Sequence, residues 1–104
     1  MVRSAFFADD RRRMLRIHVD KQPETTILRV EGRLVGDWVD ELRTVWTAVR
    51  KESPQKQAVV ELSSLMTVDK PGRKLLGQMH TLGTHLSGDG LIVRSLIEEI
   101  TGSP

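Results

Sequence analysis

The chain has 104 residues, 38% hydrophobic and 29% charged, a balance that supports one compact domain and excludes an intrinsically disordered tract. Cysteine is absent, which excludes disulfides, thiolate nucleophiles and sulfur-ligated zinc, and suits a reducing compartment such as the cytoplasm. The net charge is only +2, with two Trp, two Phe and no Tyr, so the basic, aromatic-studded face of a nucleic-acid binder is not expected.

Residues 1 to 13, MVRSAFFADDRRR, place Asp9, Asp10 and the cluster Arg11-Arg12-Arg13 where a signal-peptide cleavage site would have to lie. They are expected to form an N-terminal arm, charged and free to flex, ahead of a domain over 14–104. No apolar run approaches the roughly 20 residues that cross a bilayer, so no membrane span is expected.

From Met14 to Asp20, Leu15, Ile17 and Val19 alternate with Arg16, His18 and Asp20, the pattern of a half-buried strand. A turn containing Pro23 leads to a second alternating stretch, Thr25 to Leu34, and the two predict a hairpin. Gly36-Asp37 ends it, and Asp37 is placed to cap a helix on which Trp38, Leu42, Val45, Trp46 and Val49 recur at helical spacing. The two tryptophans fall on one face, as core or interface residues. Ser53-Pro54 closes that helix, because proline disfavours helical geometry in the residue before it.

Ala58-Val59-Val60 is apolar without alternation, as in a strand covered on both faces, and Ser63 to Val68 is expected to be a loop. A second helix runs from Pro71 through Leu75, Leu76, Met79 and Leu82 to a stop at Gly83. Thr84 to Ser87 predicts a short last strand, Gly88-Asp89-Gly90 a turn, and Leu91, Ile92, Leu96, Ile97 and Ile100 a final helix. The order β-β-α-β-α-β-α implies an α/β domain with a small mixed four-stranded sheet.

The motifs for chemistry are incomplete. Gly72 and Gly77 have the glycine spacing of a phosphate-binding loop, but Gln78 and Met79 stand where Lys and Ser or Thr are required. His80 and His85 do not share the i, i+4 face that clamps a metal, and His18 lies on a polar strand face. Glu61 and Asp69 fall near the carboxyl edge of the sheet, yet Asp69 at a helix start has a sufficient role in complementing the helix dipole, worth ~0.3 to 1 kcal/mol. Neither catalysis nor a cofactor is expected.

Three stretches carry a resemblance. Leu28-Arg29-Val30-Glu31-Gly32-Arg33-Leu34 before a helix, Val59-Val60-Glu61-Leu62-Ser63, and Val68-Asp69-x-x-Gly72-x-x-Leu75-Leu76 together resemble the STAS family, the fold of bacterial anti-sigma-factor antagonists. The resemblance spans roughly residues 14 to 102. It implies a small sheet flanked by helices and a non-enzymatic interaction module in transcription regulation. The implied partner is an anti-sigma kinase or another signalling protein, and a homodimer is compatible with it.

The family's switch is a phosphate on a Ser or Thr in a D-[S/T]-S-G-like turn at the start of the second helix. Aligned on Asp69 and Gly72, this chain has Lys70 and Pro71 at the hydroxyl positions, with Pro71 at the equivalent of the phosphosite. Neither side chain can form a phosphate ester, so the usual switch is expected to be missing. Ser63, Ser64 and Thr67 are the nearby hydroxyls. The expected docking face comprises Leu65, Val68, Asp69, Lys70, Pro71, Arg73 and Lys74. The resemblance also admits an accessory subunit of a lipid or anion transport system. Lys70, Arg73 and Lys74 beside a helix start admit nucleotide or small-ligand binding.

Overall fold

A computed structural model of the chain describes residues 15–102 in full and the backbone of residues 2–6. The elements are β1 (Val2–Phe6), β2 (Leu15–Lys21), β3 (Thr25–Leu34), α1 (Asp37–Glu52), β4 (Gln57–Val68), α2 (Lys70–Thr81), β5 (His85–Ser87) and α3 (Leu91–Thr101). The four expected strands and three helices occur in the expected order, and β1 adds a fifth strand at the antiparallel edge. That strand falls within the expected arm, whose Arg11-Arg12-Arg13 cluster lies outside the described residues.

The sheet order is β1-β2-β3-β4-β5, antiparallel through the first three strands and parallel thereafter. Alternation decides which face is buried. Leu15, Ile17, Val19, Leu28, Val30, Leu34, Ala58, Val60, Leu62 and Leu86 point to one side. There they meet Val39, Leu42, Val45, Trp46 and Val49 of α1, Leu75, Leu76 and Met79 of α2, and Val93 and Leu96 of α3. Each fully buried Leu or Ile contributes about 1.5 to 3 kcal/mol, so this single helix-covered face holds most of the stabilisation.

The opposite face is not covered by a helix among the described residues. Arg16, Arg29 and His85 are exposed on it, and His18 pairs with Glu31 across the hairpin at 2.9 Å. The expectation that Ala58-Val59-Val60 is covered on both faces is therefore corrected: Ala58 and Val60 are buried, whereas Val59 is only partly so. A β-branched residue stabilises the pleated open face without needing a second layer.

Two further expectations change. Ser63 to Val68 is not a loop but the second half of β4, which stays paired to β3 by way of two register shifts, between Arg29 and Glu31 and between Gly32 and Arg33. Polar side chains disguise the strand, because its pairing there is backbone to backbone and its apolar alternation is lost. Asp37 does not cap α1: Gly36 is the N-cap, at φ 57°, without a side-chain hydrogen bond, and Asp37 is the first helical residue. A carboxylate in that first turn still complements the helix dipole.

The helix ends follow the punctuation of the sequence. Ser53 donates its backbone N–H to Val49 O at 3.1 Å, closing α1 before Pro54. After α2, Gly83 donates to His80 O at 3.0 Å and Thr84 to Met79 O at 2.9 Å, the paired bonds of a Schellman stop.

Candidate functional site

The parallel connection β4–α2 brings the start of α2 to the carboxyl edge of the sheet, beside the end of β3. β4 runs past β5, whose pairing stops at Glu61–Ser87, and delivers Asp69 next to Leu34. The Asp69 N–H donates to Leu34 O at 3.2 Å, anchoring the turn to the neighbouring strand.

The Asp69 side chain then serves two backbones. Its Oδ1 accepts the Gly72 N–H at 2.9 Å, which is the N-cap bond of α2. Its Oδ2 accepts the Gly36 N–H at 2.8 Å, which holds the residue preceding α1. One carboxylate thus fixes the entry of both helices. Gly72 completes the turn because a Cβ there would meet Leu34 O and Val68 Cγ2, each at 2.7 Å. Only a residue without a side chain lets α2 approach β3 this closely.

Of the residues in the expected docking face, Leu65 and Val68 are partly buried against the core, and Asp69 is occupied as described. They support the turn from below. Lys70, Pro71, Arg73 and Lys74 are exposed on its outer side. Proline fits here because its fixed φ suits the first helical turn, where the missing N–H has no intrahelical acceptor. Arg73 pairs with Glu99 of α3, whereas Lys70 and Lys74 have no ion-pair partner among the described residues.

The three hydroxyls near the turn lie on β4. Ser63 is engaged: its Oγ bonds Glu61 Oε2 and accepts the Asp89 N–H at 2.8 Å. Ser64 and Thr67 are exposed. Among the described residues no group of three or more His, Asp or Glu is arranged to hold a metal ion.

Sequence reasoning missed two features of this surface. Gly36 reads as a strand terminator, and only the fold reveals its N–H as a ligand of Asp69. Met66 falls in the stretch expected to be a loop, and Leu91 and Ile92 in the apolar period of the last helix, yet the three are large apolar side chains 73%, 83% and 84% exposed. Met66 lies near the end of β4, four residues before Lys70, whereas Leu91 and Ile92 open α3 beside the end of β5, level with Ser63, and it is Glu99 near the other end of α3 that meets Arg73.

No protein-family model and no curated protein matches the chain. Solved structures do resemble it. The unphosphorylated form of the anti-sigma factor antagonist SpoIIAA shares 17% identity at a TM-score of 0.58, covering 79% of this chain and 81% of that one. The structure described as Mglu shares 16% identity at a TM-score of 0.55 over 70% of this chain, which spans only 19% of the Mglu chain. These likenesses establish the fold: a mixed α/β sheet with helices in the order of the STAS fold of SpoIIAA. No helix among the described residues is long and apolar enough to cross a membrane.

Proposed function

We propose that this chain is a non-enzymatic, STAS-type interaction module that regulates a protein partner, of the anti-sigma kinase class, from the cytoplasm. The observation that carries the reading is the Asp69–Gly72 turn. Its Asp and Gly are held by hydrogen bonds and close packing, while the two residues between them project outward as Lys70 and Pro71. A turn so fixed presents its outer residues with little conformational freedom left to lose on binding, which favours docking.

The same turn argues for a module without the usual switch. A phosphate would bring about −1.5 to −2 charges to this helix start, whereas Lys70 supplies a permanent positive charge and Pro71 a permanent shape. Exposed Met66 near the end of β4 supplies apolar area, and Lys70 and Lys74 supply charge steering. The partner surface that fits is apolar with an acidic rim.

Calorimetric titration of the chain against a panel of anti-sigma kinases tests the reading. Binding by at least one member, weakened about tenfold or more by the double substitution K70E/K74E, is expected. Both lysines are exposed, so the double variant keeps its fold. Absence of binding across the panel, or binding that ignores the double substitution, contradicts it.

A further inference from the structure

At the end of the sheet away from Lys70, a groove of about 930 Å³ opens between the last turn of α1, the β2–β3 turn and the α2–β5 link. It faces the amino ends of the parallel strands, while the Asp69 turn faces their carboxyl ends. The length of β4 separates the two sites by on the order of 30 Å. The groove is within the size range of small-molecule sites.

Its walls are basic and its floor mixes apolar and hydroxyl side chains. Arg50, Lys51 and Lys56 line it, and Glu24 is the one carboxylate among the described residues that do so. None of the three cations has an ion-pair partner among the described residues. Arg50 and Lys51 lie in the last turn of α1 and offset the negative end of its dipole, but Lys56 lies beyond the helix and has no such role. Positive charge therefore accumulates in the groove beyond what Glu24 and the helix end neutralise.

The floor is formed by Val49 and Ala58, with the buried Thr26 and Thr84 among them. Arg50 is positioned in advance: its guanidinium carbon stands 4.8 Å from the centroid of the Trp46 ring. The contact with the ring restrains the side chain without using its N–H donors in an ion pair among the described residues. Behind the floor, Trp46 Nε1 donates to Thr84 Oγ1 at 2.9 Å, which fixes the ring that Arg50 rests on.

We propose that this groove binds a small organic anion, a molecule with an apolar body and one carboxylate or phosphate group, held at the anionic end by Arg50 and Lys56. The apolar body lies on Val49 and Ala58. The site is independent of the docking reading, because it shares no residue with the Asp69 turn.

Titration of the ¹⁵N-labelled full chain with phenyl phosphate, benzoate and the neutral benzyl alcohol tests the proposal. Saturable shifts of the Trp46 indole N–H and of the Gly83 amide are expected with phenyl phosphate or benzoate, and the tighter of the two identifies the head group. Benzyl alcohol is expected to leave both signals in place at equal concentration. R50Q/K56Q is expected to weaken binding by about tenfold or more, and R29Q, an exposed residue on the open sheet face, to leave it unchanged. No saturable shift with either anion, equal binding of the alcohol, or wild-type affinity in R50Q/K56Q overturns the proposal.

Discussion

Asp69 accepts the Gly36 N–H at 2.8 Å across 33 positions of sequence, so the residue that caps α2 also secures the residue that precedes α1. The two helix starts are thereby coupled through one side chain. A disturbance of the turn before α2 reaches α1 without passing through the core.

Replacing that carboxylate measures the coupling. D69A removes a cap, worth about 1 kcal/mol, and leaves a second backbone donor without its acceptor, so a total loss of about 1 to 3 kcal/mol is expected in urea denaturation. D69N keeps an oxygen for Gly72 but offers only one acceptor for two donors, and should fall between the wild type and D69A.

Two helical glycines give opposite results on substitution by alanine. G72A forces a Cβ to within 2.7 Å of Leu34 O and Val68 Cγ2, a steric conflict expected to cost about 1 to 3 kcal/mol. G77A meets nothing nearer than Ile100 Cγ2 at 3.9 Å and gains helix propensity, so it should stabilise by about 0.5 to 1 kcal/mol. Thermal denaturation of the pair distinguishes a required glycine from a tolerated one.

Restoring a hydroxyl tests whether the turn is a disabled switch. P71S places an exposed serine two positions after Asp69, at the start of α2. Incubated with an anti-sigma kinase that binds the chain, P71S should incorporate phosphate at position 71. The wild type should show none between 69 and 72, and any label it takes up should map to Ser64 or Thr67 rather than the hydrogen-bonded Ser63.

Thr84 offers a test of the core independent of the Asp69 turn. T84V removes the acceptor of the buried Trp46 N–H while preserving shape, and should cost about 1 to 3 kcal/mol in chemical denaturation. A variant as stable as the wild type would mean that the indole finds another acceptor.

Local patterning made much of this fold legible. Leu15, Ile17 and Val19 alternate with polar neighbours, and Leu42, Val45, Trp46 and Val49 repeat at helical spacing, so each element declares its own buried face. The second half of β4 does not, because Ser63 and Ser64 are exposed and the strand is held by backbone pairing to β3 through its register shifts. β1 is hidden for a similar reason, since its place is set by antiparallel pairing with β2 rather than by a distinctive apolar period.

At the site the same division holds. Asp69, Pro71 and Gly72 announce a helix start by residue type, each through a local rule of capping or backbone conformation. The bond to Gly36 and the exposure of Leu91 and Ile92 depend on how distant elements meet. Helical spacing alone assigns Leu91 and Ile92 to a core, although Val93 and Leu96 already fill the contact of α3 with the rest of the domain.

The most direct test of the central claim is to record the ¹⁵N spectrum of the chain with and without a bound anti-sigma kinase and to map the amides that change. Docking on the Asp69 turn predicts the largest changes at Met66, Lys70, Arg73 and Lys74, with the amides of the open sheet face, Arg29 and His85 among them, left in place. Changes centred on that sheet face, with the Asp69 turn undisturbed, would contradict it.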